Sequence, residues 1–190
     1  MTVKKGLLIV LSGPSGVGKG TVLKELMQHD DLMLSYSISM TTRLPRNGEV
    51  DGKNYFFVSR ERFNEAIANN ELLEYAEFVG NMYGTPRDYV EKLRNEGRNV
   101  ILEIEVQGAV QVKEKCPDAL SIFIIPPSMD ELAARIRGRA TEPEEIVQQR
   151  LEKAKKEMEM IPQYKYVVCN DDPVLASDIM KAIIKRHMEI

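Results

Sequence analysis

A glycine-rich segment near the start of the 190-residue chain has the residue types needed to hold a chain of phosphates. It reads GPSGVGKGT and lies between the apolar run Leu7–Leu11 and a helical pattern. Glycines at the turn positions let successive backbone N–H groups point at one anion, and a helix N-terminus adds partial positive charge. Lys19 supplies a mobile full charge for the β and γ phosphates of a nucleoside triphosphate. We therefore predict a P-loop that comprises Gly13, Pro14, Ser15, Gly16, Val17, Gly18, Lys19, Gly20 and Thr21.

The motif departs from the strict Walker pattern at the residue after the lysine. Gly20 stands where serine or threonine usually contacts magnesium, and Thr21 follows one position later. The GKGT ending resembles that of adenylate-kinase-like enzymes, which implies that Mg²⁺ is held mainly through water and the ATP phosphates, with Thr21 or Glu103 as the candidate protein ligands. The alternative to a donor site is an ordinary glycine-rich turn between a strand and a helix.

Two arginines three residues apart suggest a second phosphate site. Arg43 and Arg46 belong to a polar loop, and Tyr55 follows that loop directly. Guanidinium groups pair bidentately with phosphate oxygens, and phenols such as those of Tyr55 and Tyr83 add directed donors. The chemistry suits the dianion of a phosphate monoester. A basic loop that only faces solvent is the alternative.

Two carboxylates lie where an α/β sheet places its ligands. Glu103 and Glu105 come at the C-terminal end of a predicted buried strand, and ligands of doubly wound sheets bind outside that end. Alternation along the strand would put both side chains on one face, with Ile104 pointing away. A salt-bridged strand end without a ligand is the alternative.

The elements that must position these residues follow an α/β pattern. Four short apolar segments predict buried parallel strands: Gly6–Ser12, Asn99–Ile104, Leu120–Ile125 and Tyr166–Cys169. Helical patterns cover 19–29 and 107–115. Further helices are expected near 129, near 142 and after Asp172, from the caps Ser128 with Glu131, Thr141 with Glu144, and Asp172 with Pro173. The alternation predicts a central parallel sheet flanked by helices.

Residues 34–79 have a different pattern and predict a β-rich insertion. Short β-like pieces at 36–39, 54–58 and 72–78 surround one helix at 60–70. Thr85 is expected to cap the helix that follows, with Pro86 in the first turn of that helix.

In their order along the chain and in their residues, these motifs closely resemble those of the guanylate kinase family. The resemblance rests on YSISMTTRLPRNGEVDGKNYFFV from Tyr36 to Val58, on Glu74, on NMYGT up to Thr85 and on ILEIEVQGA from Ile101, and it runs from about residue 6 to residue 175. It implies a P-loop nucleoside monophosphate kinase in one domain, with a β-rich GMP-binding insertion and a helical lid. The core would comprise 1–36, 89–125 and 156–190, the GMP-binding subdomain 37–88, and the lid 126–155.

The resemblance also implies an activity and a set of site residues. The activity is transfer of the γ-phosphoryl group of Mg-ATP to GMP, and we expect dGMP to be accepted as well, within purine nucleotide metabolism. Catalytic roles are implied for Lys19, Arg43, Arg135, Arg139 and Arg150. Contacts to ATP are implied for the P-loop, Arg135, Arg139 and Asn170, whereas Arg137 is expected to face solvent. Contacts to GMP are implied for Ser39, Arg43, Arg46, Glu49, Tyr55, Glu74, Tyr83, Thr85, Glu103 and Glu105.

The hydrogen-bonding groups of guanine explain why three of these residues suit a GMP site. Guanine presents adjacent N1–H and N2–H₂ donors beside an O6 acceptor, so a selective pocket needs a carboxylate near hydroxyl groups. Glu74, Ser39 and Thr85 supply that set, with Glu74 accepting from the two donor positions. Adenine would place a lone pair against the carboxylate and is expected to be rejected.

Two other functions fit parts of the pattern. Guanylate-kinase-like scaffold domains bind phosphopeptides, but they usually belong to longer chains with a damaged P-loop. Other small P-loop kinases phosphorylate a different acceptor such as a ribose bisphosphate, which the Glu74, Ser39 and Thr85 set disfavours.

Composition excludes several function classes. A formal net charge of −3 argues against general binding of nucleic acid or of anionic membranes, so any anion must be held by local clusters. No apolar run approaches the ~20 residues that span a bilayer. Two widely spaced cysteines suit a reducing compartment, and we expect a cytoplasmic protein. ATP and GMP are the expected partners. A homodimer is compatible with the sequence, which does not fix the oligomeric state.

Overall fold

The computed structural model describes residues 4–139 and 143–189, apart from the side chain of Arg139. The strands in this part of the chain are β1 (Leu8–Ser12), β2 (Leu34–Tyr36), β3 (Met40–Thr41), β4 (Phe56–Phe57), β5 (Leu72–Phe78), β6 (Asn81–Pro86), β7 (Asn99–Glu103), β8 (Leu120–Ile125) and β9 (Tyr166–Cys169). The α-helices are α1 (Lys19–Leu26), α2 (Arg60–Ala68), α3 (Arg87–Asn95), α4 (Val106–Lys115), α5 (Met129–Arg139), α6 (Glu144–Met158) and α7 (Pro173–Met188). Short 3₁₀ turns cover Asp30–Leu32 and Ile161–Gln163.

A parallel sheet in the order β2-β7-β1-β8-β9 forms the centre of the fold. Strand β1 shows why its sequence is continuously apolar. Ile9 and Leu11 belong to one core cluster, which includes residues of α1, α5, α6 and α7. Leu8 and Val10 belong to a second cluster with residues of α3 and α4. Because helices cover both faces of the sheet, residues of either parity along the strand must be apolar.

The four predicted parallel strands are confirmed, and a fifth was missed. Strand β2 pairs with β7 at one edge of the central sheet, through Leu34 opposite Asn99. The sequence pattern had assigned residue 34 onward to the insertion, and that start was wrong. With three residues and an exposed Tyr36, this edge strand has too short an apolar run to be recognised by its pattern.

A second sheet in the order β4-β3-β6-β5 confirms the β-rich insertion. Strands β4 and β5 lie within the predicted pieces 54–58 and 72–78, whereas the predicted piece 36–39 was wrong, because residues 37–39 form no strand and the sheet pairs through β3 instead. Its own small core contains Met40, Phe63, Ala66, Leu72 and Met82, so α2 packs against this sheet. Strands β5 and β6 form an antiparallel hairpin in which Phe78 pairs with Asn81.

Of three predicted helix caps, one is confirmed, one was wrong and one lies outside the described residues. Ser128 Oγ accepts from the Glu131 backbone N–H at 3.1 Å, which confirms the start of α5. The cap at Thr85 was wrong: α3 begins after Pro86, and Thr85 is the penultimate residue of β6. Thr141 lies outside the described residues, and α6 begins at Glu144. None of the described helices is long and apolar enough to cross a lipid bilayer.

The last helix provides a direct test of a cap. Asp172 accepts from the Leu175 backbone N–H at 2.8 Å and thereby satisfies one free donor of the first turn of α7. We expect Asp172→Ala to lower the free energy of unfolding by about 1 kcal/mol in urea denaturation. Asp172→Asn keeps an acceptor at the same place and should remain within a few tenths of wild type. Equal losses in both variants would show that the carboxylate charge, and not the cap, stabilises the helix.

Candidate active site

The loop from Gly13 to Gly18 leaves β1 and closes back onto the start of α1. Gly16 and Gly18 have φ values of 86° and 94°, in the left-handed region that favours glycine. A Cβ at Gly16 would lie 2.7 Å from Ile136 Cγ1, and one at Gly18 would lie 2.6 Å from Asn170 Nδ2. Glycine is therefore favoured at positions 16 and 18 for two reasons, the backbone conformation and the close approach of α5 and of the residue after β9.

Lys19 is folded onto the loop that precedes it. Its Nζ donates to the Gly13 carbonyl oxygen at 2.6 Å and to the Pro14 carbonyl oxygen at 3.3 Å. Burial lowers the pKa of Lys19, while the nearby carboxylates, Glu103 foremost, act to raise it. An ammonium group in this position can reach any anion that the loop binds.

Two cavities meet at the end of β7. The cavity in front of the phosphate loop, here called the loop cavity, has a volume of about 310 Å³ and is lined in part by Gly13, Ser15 and Lys19. The cavity between the two sheets, here called the insertion cavity, has a volume of about 280 Å³. Residues 103–105 line both, so two ligands could face each other across this one segment.

The two carboxylates of that segment differ in their surroundings. Tyr36 donates its hydroxyl to Glu103 Oε2 at 3.3 Å. Glu105 lies beyond the strand, at the residue that precedes α4, and its carboxylate forms an ion pair with Lys153 at 3.1 Å. Ile104 contributes to the lining of both cavities, and it also packs against the second core cluster. The salt bridge that was the alternative interpretation is thus present at Glu105, within a segment that also faces both cavities.

A buried carboxylate forms the floor of the insertion cavity. Glu74 is 6% exposed, and the Thr85 hydroxyl donates to its Oε1 at 2.6 Å. A Cβ at Gly108 of α4 would lie 2.7 Å from Glu74 Oε2, so only glycine leaves room for the carboxylate. Burial raises the pKa of Glu74, and Thr85 and Lys115 counteract this effect. Thr85 lies behind Glu74 and holds it, while Ser39 lines the cavity itself.

Arg43 lies beside the two predicted tyrosines but is already paired. Its guanidinium group forms a bidentate ion pair with Glu49, with both N–O distances 2.9 Å. It also lies over the Tyr55 ring, 5.3 Å from the centroid, and the Tyr83 side chain contributes to raising its pKa. Arg43 in turn holds the pKa of Glu49 at about 2. Arg46 donates its backbone N–H to Glu49, and the residue is exposed.

The arginines of α5 and α6 contact the phosphate loop from outside. Arg135 donates to the Asn170 carbonyl oxygen at 2.8 Å, and the Asn170 side chain donates to the Val17 carbonyl oxygen at 2.7 Å. Arg150 donates to Ser15 Oγ at 3.0 Å. The Arg139 side chain lies outside the described part of the structure. Arg137 is exposed and pairs with Glu144, as the sequence predicted for a solvent-facing residue.

The oxygen donors near the loop suit a magnesium ion better than a tightly chelated metal. Glu103 and Glu105 face the loop cavity. Among the described residues, no group of three or more His, Cys, Asp or Glu side chains is arranged to hold a metal. Mg²⁺ takes oxygen ligands, keeps several waters and is commonly bound by one or two carboxylates with substrate phosphates. Thr21 lines a different cavity, with Arg135 and Asn170, on the far side of the loop.

The structure adds cavity residues that the sequence analysis missed. Ser37, Asn54 and Gln107 line the insertion cavity, and Glu157 of α6 lines the loop cavity. Ser37 and Asn54 lie within the quoted motif 36–58 and Gln107 lies within the motif that begins at Ile101, so the family resemblance was an available signal for all three. Glu157 had none, because it occupies an ordinary position on a charged helix.

Comparison with known proteins decides the family. A sequence profile described as guanylate kinase matches residues 5–187. The chain belongs to the guanylate kinase family. A guanylate kinase of Bacillus cereus is 60% identical over 184 residues, which are 97% of this chain and 90% of that protein. Another family member, the guanylate kinase of Mycoplasma mycoides subsp. mycoides, is 62% identical over 170 residues, or 90% of this chain and 57% of that protein.

Solved structures agree with this family assignment. The crystal structure of the guanylate kinase from Anaplasma phagocytophilum aligns with a TM-score of 0.75 at 36% identity, covering 98% of this chain and 88% of that one. A Thermus thermophilus protein at 16% identity and a TM-score of 0.53 shares the fold alone. The predicted family and fold, with a central parallel sheet flanked by helices, are confirmed.

The phosphate loop of this guanylate kinase family member contains a matched pair of glycines for a test. Gly16 has a positive φ and no room for a Cβ, whereas a Cβ at Gly20 would meet no atom within 4 Å. We expect Gly16→Ala to lower the free energy of unfolding by at least about 1–2 kcal/mol. Gly20→Ala should raise it by up to about 1 kcal/mol, because alanine favours the first turn of α1. Urea denaturation without ligands measures both, and equal effects would contradict this account of the loop.

Proposed function

We propose that this protein transfers the γ-phosphoryl group of ATP to GMP. The observation that carries the proposal is the shared wall of the two cavities: residues 103–105 separate a loop that can hold a triphosphate from a cavity with a buried carboxylate. Names of relatives at 60% and 62% identity support the same reaction. Lys19 and the positive-φ glycines are all present, which distinguishes the chain from scaffold domains with a damaged loop.

The insertion cavity is proposed to bind GMP. Glu74 would accept from guanine N1–H and N2–H₂, because it is an ionisable acceptor on the cavity floor. Thr85 would hold Glu74 in place, and Ser39 would contact the base. Tyr55 and Tyr83 would donate to the GMP phosphate. Further phosphate contacts are proposed for Arg43 and Arg46, with Glu49 as the partner that Arg43 exchanges for the phosphate.

The transfer step is proposed to need no general base. An oxygen of the GMP phosphate is already anionic near neutral pH and can attack the γ phosphorus in line. Lys19, Arg135, Arg139 and Arg150 would stabilise the charge on the transferring group. One of Glu103 and Glu105 would hold Mg²⁺ through its water shell and the other would contact GMP, and the ion would neutralise charge on the ATP phosphates when bound. Asn170 and Arg135 would lie on the adenine side of the loop.

Closure of two parts of the chain is also proposed. Arg43 and Arg135 are held by protein partners in the structure, so residues 37–88 and 126–155 would have to move for these cations to reach phosphates. Moving both parts toward the loop would expel water from the shared wall and suppress hydrolysis of ATP. The core would comprise 1–36, 89–125 and 156–190.

A coupled assay with several acceptors tests the proposed function. ADP release from Mg-ATP would be measured with AMP, GMP, dGMP, CMP, UMP and a ribose bisphosphate. We expect fast turnover with GMP and measurable turnover with dGMP. ADP release that does not depend on GMP would overturn the proposal, and turnover with the ribose bisphosphate alone would identify a different acceptor.

The role of Glu74 is tested by removing its charge. In Glu74→Gln the side chain presents a donor to at least one guanine donor position, and a buried unmatched polar group costs about 1–3 kcal/mol. We expect the KM for GMP to rise about 5- to 150-fold and the KM for ATP to stay unchanged. Equal changes in the two constants would contradict the assignment.

The pH dependence of the same variant gives a second readout. Burial raises the pKa of Glu74, so its carboxylate takes up a proton at a higher pH than an exposed glutamate does. The charged form accepts from guanine, and the KM for GMP should therefore rise as pH falls through that raised pKa. The GMP phosphate has a second pKa of about 6, which affects the wild-type protein and Glu74→Gln alike. Only the wild-type protein should show the additional acid limb, and its persistence in Glu74→Gln would refute the role.

Gly108 is predicted to control the same carboxylate from α4. In Gly108→Ala the new Cβ would displace Glu74 from Thr85, since it would lie 2.7 Å from Glu74 Oε2. We expect the KM for GMP to rise about 10-fold or more, since a 1 Å misplacement can cost 100-fold. Gly138→Ala in α5, where a Cβ would meet no atom within 4 Å, is the matched control. An unchanged KM for GMP in Gly108→Ala would contradict this prediction, because it would show that the Glu74 carboxylate accommodates the new methyl group without losing its role.

A further inference from the structure

The carboxylate of Glu157 faces the phosphate loop but has no part in the reaction as proposed above. Glu157 lies in the last turn of α6 and lines the loop cavity beside Ser15 and Lys19. Its side chain is only 13% exposed. A carboxylate near a site for polyphosphate repels the ligand unless protein groups balance its charge. The groups around Glu157 therefore decide what it can do.

Charged groups from three elements face Glu157. Lys153, one turn earlier on α6, has its Nζ 3.7 Å from Glu157 Oε1, and Lys19 of α1 is the second cation. Glu105, before α4, is the opposing anion. Burial is the largest influence and raises the pKa of Glu157, whereas the two lysines and the Ser15 backbone amide lower it. The carboxylate is thus placed between two cations and a loop amide.

The same loop residue is contacted by a second side chain of α6. Arg150 donates to Ser15 Oγ at 3.0 Å, and it precedes Glu157 by seven residues, close to two helical turns. The two side chains therefore leave one face of α6, and there Arg150 bonds to the Ser15 hydroxyl while Glu157 lines the loop cavity beside Ser15. Arg150 falls in the proposed lid and Glu157 in the proposed core, on one unbroken helix.

One atom of the carboxylate is left without a partner. Glu157 Oε2 is buried and has no hydrogen-bond partner among the described residues, and the nearby Tyr164 hydroxyl is in the same condition. An unsatisfied buried acceptor costs about 1–3 kcal/mol, and more when it is charged. Replacing such a group by an apolar residue is often neutral or stabilising. Fold stability alone therefore gives no reason for a glutamate at this position.

We propose that Glu157 is a positioning residue of the donor site, whose carboxylate holds the Ser15 amide and the Lys19 ammonium ready for the ATP phosphates. The inference rests on the proposed function, because it assigns the loop cavity to ATP. Glu103 and Glu157 counteract the lowering that burial causes in the pKa of Lys19. Without Glu157, Lys19 loses one of the charges that draw it from the Gly13 and Pro14 carbonyls toward the cavity.

The test compares variants that separate charge from shape. Glu157→Gln keeps the shape of the side chain and removes its charge, and Glu157→Ala removes both. Glu152→Gln is the matched control, because Glu152 is exposed on the same helix and pairs with Lys155. Calorimetry would measure binding of ATP without GMP, and the coupled assay would give kcat and both KM values. Thermal unfolding would be recorded for every variant.

We expect Glu157→Gln to weaken ATP binding and to lower kcat/KM for ATP about 10- to 100-fold. The KM for GMP and the melting temperature should stay at the wild-type values, and Glu152→Gln should match wild type throughout. Wild-type ATP affinity and turnover in Glu157→Gln would overturn the proposal, as would equal losses for both substrates. If Glu157→Ala fails to fold, Glu157→Gln decides alone.

The calorimetric measurement keeps this inference separate from the proposed function. A protein whose ATP affinity depends on Glu157 but which does not phosphorylate GMP would contradict the function and support the positioning role. If the protein phosphorylates GMP and Glu157→Gln leaves the ATP affinity unchanged, the proposed function is supported and the positioning role is contradicted.

Discussion

The parallel pairing of β1 with β7 is the interaction on which the rest of the site depends. Its register sets Leu11 opposite Glu103, so the phosphate loop and the segment 103–105 leave the sheet side by side. Side chains on both faces of β1 pack into two separate buried clusters, so a slip of one residue would exchange the two sets of side chains and force both clusters to repack. The same slip would move the loop about 3.3 Å along the carboxylates, more than a positioned phosphate tolerates.

Local compensation of charge explains how an acidic chain can offer two anion sites. Three of the cations proposed to bind phosphates already have protein partners: Lys19 bonds to loop carbonyls, Arg43 to Glu49, and Arg135 to Glu131 and the Asn170 carbonyl. A nucleotide must therefore exchange these partners for phosphate oxygens, and only the surplus contributes to affinity. Closure of the chain around the ligands is the proposed means of that exchange.

Continuous apolar runs predicted the core strands, but strands β2, β3 and β6 escaped that pattern. Strand β6 reads NMYGTP, and its Gly84 and Pro86 disfavour a strand in any local rule. It forms because Val79 and Gly80, with φ values of 49° and 73°, turn the chain back along β5. The same misreading assigned Thr85 to a helix cap, although its hydroxyl bonds to Glu74 eleven residues earlier.

The sequence by itself determined the phosphate loop, the helix caps at Ser128 and Asp172 and four of the five strands of the central sheet, because each depends on residues close together in the chain. Its family resemblance supplied the candidate site residues as well. Only the tertiary structure decided that Gly108 makes room for Glu74, that Arg43 is paired with Glu49, and that Glu157 faces Ser15. The Gly108 and Glu157 contacts join residues far apart in sequence, and they exist because buried side chains pack helices α4 and α6 against the sheet. The ion pair between Arg43 and Glu49 lies within one loop, and the conformation of that loop brings the Glu49 carboxylate to the Arg43 guanidinium group.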